Sequence, residues 1–254
     1  MASGGCQLQG RLGGSWSTLL VRRANRAILA DMGKTYLQTA MLLGVMLLVS
    51  PFALYAAGFG QGGLRGTLDA PHYLFSASIP ANASIFSHML LGAAVTLLVP
   101  LQLIRPLRQR LPALHRLTGR VIVAGAGITA IGGLAYIALR GTIGGAPMNA
   151  GFTLYGALML LAAWQTFRHA YARRIGQHHA WALRLFWLVL GSWLYRVHYG
   201  LWYLATGGLW STPEFTGAFD LVQNFAFYIP YLIGVEIYLR RRFSSPQARA
   251  NLRV

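Results

Sequence analysis

Seven histidines and twenty-two basic residues stand against five carboxylates in this 254-residue chain. Any chemistry must therefore rest on imidazole and guanidinium groups. Asp31, Asp69, Glu214, Asp220 and Glu236 are too scattered to form a general acid/base pair. Two histidines open apolar runs near arginines: His115 directly before Arg116, and His178 shortly before Arg184. Imidazoles on two different helices are a donor set for the axial positions of a b-type haem, with arginines able to meet the propionates. The same imidazoles could hold a metal ion. A third histidine, His88, opens another apolar run as an outer-side ligand or proton-transfer group. His88 and Gln102 lie on one face of a helix together with Gly92, Val95 and Val99. A later stripe holds His178, Trp181, Leu185, Ser192, Arg196 and Tyr199. Arg184 and Glu236 fall at similar depth and form a candidate buried pair. Arg196 lies deeper, with Asp220, Asn224 or an anionic ligand as its candidate partners. His198 points nearly opposite to His178, which makes an outer haem between His88 and His198 geometrically awkward. His169 and His179 read as solvated.

The elements that must hold these groups are apolar. The chain is 55% apolar and 11% charged, against about 25% charged in soluble domains, and its mean hydropathy is +0.47. Six nearly charge-free stretches, approximately 36–57, 86–104, 121–139, 150–167, 181–204 and 220–239, can cross about 30 Å of hydrocarbon as helices. Barrel strands would instead alternate polarity over about ten residues. The expected fold is all-α, a polytopic integral membrane bundle of six transmembrane helices. With the N-terminus inside, all basic residues except Arg65, Arg140 and Arg196 fall on the cytoplasmic side. The positive-inside rule thus puts both termini in the cytoplasm. The net charge of +17 becomes a topology signal and an attraction to anionic lipid, not a nucleic-acid footprint.

Residues 1–34 read as a basic tail, disordered or interfacial, 35–242 as the six-span domain, and 243–254 as a second cytoplasmic tail. Met32 is an alternative start. The arginine-rich composition suggests a bacterial protein of the inner membrane. The single cysteine, Cys6, allows no intrachain disulfide and no c-type haem attachment. A long outer loop, about 58–85, carries His72, Tyr73 and Pro80; another, about 205–219, carries Trp210 and Phe215 as interfacial anchors. Gly58-Phe-Gly60-Gln-Gly-Gly63 matches a dinucleotide fingerprint literally but follows a membrane helix into a loop, so it carries no such meaning. Gly125, Thr129 and Gly133, spaced by four, form a face for close helix packing. Pro51, Pro100 and Pro230 are expected to give kinks only, without the paired broken helices of a secondary transporter.

The run His88, Gly92, Pro100, Gln102, Arg108, Arg110, Pro112, Leu114, His115, Arg116, Gly119, Arg120 closely resembles the bacterial membrane family catalogued as domain of unknown function 2306. Further on, His178, Trp181, Arg184 and Arg196 match its His-x-x-Trp-Met-x-Arg segment and a late arginine, with Ala182 in place of Met. Tyr228-Ile-Pro230-Tyr231-Leu232 through Glu236 resembles its closing motif, with Tyr231 replacing Asn. The resemblance spans roughly residues 70–240 and implies an arrangement without an activity.

Three functions follow as expectations. The first is b-haem binding for membrane electron transfer or quinone chemistry, with His115 and His178 as ligands and Arg116, Arg184 and Arg196 as anion partners. The second is a carrier or binding protein for a small anionic or lipid-like substrate, its path lined by His88, Gln102, Arg196 and Glu236. The third is an assembly factor without a ligand.

Overall fold

The computed structural model describes residues 13–68, 74 and 76–244. Cys6, Asp69, His72, Tyr73 and the tail beyond Ser244 lie outside the described residues. Every regular element among the described residues is helical. Helix α1 spans Gly13–Arg65 and α2 spans Ile79–Leu98. A 3-10 segment, Val99–Leu103, follows α2 directly. A short α3, Arg105–Arg110, leads to α4, Pro112–Arg140. Then come α5, Gly145–Tyr171, and α6, Ile175–Thr206. The described residues end in α7, Ala218–Ala226, and α8, Ile229–Ser244.

The helices outrun the apolar stretches that announce them, because polar and glycine-rich flanks continue the helical hydrogen bonding. α1 starts at Gly13 and so passes through much of the 1–34 region. It also runs on to Arg65, which shortens the first loop from the expected 58–85 to 66–78. Ser78 sets the far boundary: its hydroxyl accepts from the Ala81 N–H at 3.4 Å, and Pro80 sits in the first turn, where a missing N–H costs nothing. The glycine-rich match therefore lies within α1 and serves packing. A Cβ at Gly60 would come within 2.7 Å of the Phe86 carbonyl, and one at Gly63 within 2.3 Å of the Phe86 ring.

Proline interrupts the α-helical hydrogen bonding of two spans, each of which still runs on as one segment. α2 tightens into the 3-10 turn at Pro100, and the last span is divided at Phe227–Tyr228, just ahead of Pro230. Proline has no N–H to give back to the preceding turn, and its ring crowds the carbonyl there. Pro51 lies inside α1 without ending it.

Five segments combine the length and hydropathy of membrane spans: Met32–Arg65, Ile79–Leu103, Pro112–Arg140, Gly145–Tyr171 and Ala218–Arg242. α6, with 32 residues, is about 48 Å long at 1.5 Å per residue, but Arg184, Arg196 and three histidines dilute its apolar character. In the bundle α2 packs between α1 and α4, α5 bridges α4 to α6 and α7, and α8 rests on α6.

The α2–α4 seam carries the predicted small-residue face. A Cβ at Gly125 would lie 2.6 Å from Val95, Gly92 faces Thr129, and Gly132 and Gly133 lie against Ser84 and His88. Removing side-chain bulk lets the two backbones approach where there is no aqueous hydrophobic drive between helices.

Candidate functional site

Five helices converge on one cavity of about 60 Å³. α1 contributes Phe52, α2 His88 and Thr96, α4 Thr129, α5 Tyr155, and α6 Ser192 and Arg196. The glycine seam positions the first polar member. His88 Nδ1 lies 2.7 Å from the Thr129 carbonyl oxygen, which can only accept, so Nδ1 carries the proton. The neutral ring then offers Nε2 as an acceptor, and the protonated ring offers it as a donor. Thr96 returns its hydroxyl to the Gly92 carbonyl at 2.6 Å, and Tyr155 donates to the Leu188 carbonyl. The Thr129 hydroxyl is buried in the lining without a hydrogen-bond partner. Arg196 is the exposed member. Its Nη1 donates to the Ser192 carbonyl at 3.0 Å, and its guanidinium stacks on Phe52, 4.6 Å from the ring centroid.

Asp220, expected as a partner for Arg196, is occupied at the start of α7. It accepts from Tyr199 at 2.6 Å, Ser211 at 2.8 Å, and the Thr212 and Gly217 N–H groups at 2.9 and 3.0 Å. An acidic group there both caps the helix and meets its positive end. Asn224 is fully buried, packed against Gly151, with both side-chain polar atoms unpartnered. His198 turns to Gln223 and Tyr231, 2.7 Å from the Tyr231 hydroxyl, while His88 turns to α4.

Gln102 belongs elsewhere. The 3-10 turn swings it onto the first turns of α4, where its amide donates to Thr118 at 2.6 Å. A Cβ at Gly119 would lie 3.2 Å from its Oε1. The Pro100, Gln102 and Gly119 pattern is thus a latch between consecutive spans. His88 and Gln102 both face α4, yet they share no cavity.

At the basic end of the bundle, His178 Nδ1 lies 3.0 Å from the Thr166 carbonyl. His115 Nδ1 is buried without a partner. His169 and His179 are half-buried rather than solvated. Arg116 is exposed. Among the described residues no group of three or more His, Cys, Asp or Glu side chains could hold a metal ion, so His88 does not join His115 and His178 in one centre. Arg184 and Glu236 do pair, at 2.6 Å. Their side chains are 23% and 39% exposed, so the pair is not buried as expected. Trp181 lies under the Arg184 guanidinium at 4.7 Å.

Phe52 and Tyr155 escaped the sequence reading. Each is an aromatic residue within an apolar run, and nothing local separates a cavity-lining ring from a core ring. The hydroxyl and guanidinium positions on α6 were the readable part.

Apolar helices of spanning length with a polar cavity at their meeting point define a multi-pass α-helical membrane protein. The family model described as "Predicted membrane protein (DUF2306)" matches residues 85–237. The chain belongs to that family. Comparison with curated proteins and with solved structures gives no match.

Proposed function

We propose that the protein binds a small anion within the bundle, at the cavity shared by Arg196 and His88. The observation that carries this reading is the buried, unpartnered Thr129 hydroxyl, set in one lining with a guanidinium and an imidazole. Buried polar atoms nearly always have partners, and an ionisable group within a membrane helix marks a site by default. About 60 Å³ suits an inorganic anion or a short carboxylate rather than a drug-sized ligand, whose pockets run to about 300–1,000 Å³. Binding would favour protonated His88, because Nε2 then donates. The test is calorimetric titration of the detergent-purified protein with chloride, nitrate, acetate and phosphate at several pH values. Saturable binding that strengthens as pH falls, and that Arg196→Gln abolishes in a folded protein, supports the site. Unchanged binding in Arg196→Gln removes it.

The basic end supports a second reading, b-haem ligation by His115 and His178. The favouring observation is the His178 Nδ1 contact with the Thr166 carbonyl, the kind of second partner that orients a ligating imidazole. Bound haem would supply one-electron transfer, and the exposed Arg116 would be available to pair with its propionates. Absorption spectra of protein from haem-replete cells, oxidised and then dithionite-reduced, test this. A Soret band lost in both His115→Ala and His178→Ala supports ligation, and a colourless folded protein ends it. In either reading the basic end faces the cytoplasm, as the arginine distribution supports, and the arginine-rich composition favours a bacterial inner membrane.

A further inference from the structure

A second feature lies away from the cavity. Where the chain breaks ahead of Pro230, α7 stays packed on α5 while α8 continues along α6. The divergence leaves a groove of about 320 Å³ between α5, α6 and α8. Leu158 and Leu161 form one wall and Leu232 and Ile233 the other, with Leu188 between them. Trp181, Arg184 and Glu236 line its basic end. Glu236 is bound twice there, to Arg184 at 2.6 Å and to Arg240 at 3.4 Å. Two guanidiniums share one carboxylate, so the polar end keeps a net positive charge above an apolar trough.

We infer that this groove holds one anionic phospholipid, an acyl chain along the leucines and its phosphate against the Arg184–Glu236–Arg240 cluster. A neutral quinone could fill the trough but gains nothing from the surplus charge, and a zwitterionic lipid gains less than an anionic one because its own cation offsets its phosphate. With a lipid so seated, Trp181 would fall beside its headgroup, a level where indoles concentrate. The site is independent of the anion cavity, which is built by other residues.

The experiment is native mass spectrometry of the delipidated full-length protein in mild detergent, titrated with dioleoyl phosphatidylglycerol, dioleoyl phosphatidylcholine or a ubiquinone analogue. The expected result is a first bound phosphatidylglycerol favoured about fivefold over phosphatidylcholine, the worth of one basic residue at a lipid surface. Glu236→Gln removes the shared carboxylate and should raise that preference, whereas Arg240→Gln, at an exposed position, should lower it. Ile233→Trp should fill the trough and weaken the first binding event for both lipids. Arg196→Gln should leave all of this unchanged, so failure here and failure of the anion cavity read out separately. Equal retention of the two lipids, preference for the quinone analogue, or no response to either charge variant would overturn the assignment.

Discussion

The α2–α4 seam and the α6–α8 seam each contain a proline break, and the breaks have opposite consequences. At Pro100 the chain tightens into a 3-10 turn, and Gln102 immediately latches onto Thr118. The seam above it is closed by glycines, and at Gly125 a Cβ would lie only 2.6 Å from Val95. At Pro230 the chain is released: α8 leaves α5, a groove opens, and a partly exposed ion pair ties α8 to α6. Proline therefore sets where a membrane helix is interrupted. What lies beside the interruption decides whether the helix stays packed.

The sharpest way to break this contrast is to add bulk to both seams. Gly125→Leu drives a side chain into Val95 and should lower stability by about 1–3 kcal/mol or more, the cost of overpacking. Ile233→Phe in α8, on a wall of the open groove where the side chain is 54% exposed, should leave the thermal midpoint in detergent nearly unchanged. Equal losses in the two variants would mean that both seams are closed. The closed seam also positions His88, so His88→Leu should weaken anion binding by about tenfold, as expected for a charge-assisted hydrogen bond; a titration unaffected by this change would separate seam from site. Gln102→Leu should cost about 1 kcal/mol for the lost hydrogen bond, read from the same thermal scans, with Thr118→Val showing a non-additive loss if the two form one latch. The smallest effect belongs to the open seam. A double-mutant cycle on Arg184→Gln and Glu236→Gln should give a coupling of no more than about 1 kcal/mol, because the pair is partly exposed. A coupling several times larger would show α8 to be held as firmly as α2.

Several of these features are legible without coordinates. The small-residue spacing of Gly125, Thr129 and Gly133 indicates a packing face, since little else explains small residues at i, i+4 and i+8 in an apolar helix. Arg184 and Glu236 can be matched by depth because each helix advances by a fixed rise per residue. Arg196 is harder: depth allows Asp220, but Asp220 caps α7 through the loop before it. Loop conformation has no period to read. The Pro100 and Pro230 breaks are visible as residues, but their outcome depends on tertiary contacts, with α4 for the first and with α5 for the second.

The amino-acid sequence by itself determined the all-helical membrane class and the family, because both follow from local quantities: run length, charge density and motif spacing. Tertiary structure alone decided that His88 and Arg196 share a cavity with Phe52 and Tyr155 while Gln102 and Glu236 do not. That choice depends on the rotation and tilt of five helices against one another. Close contacts between distant residues set those angles, and no stretch of a single helix encodes them.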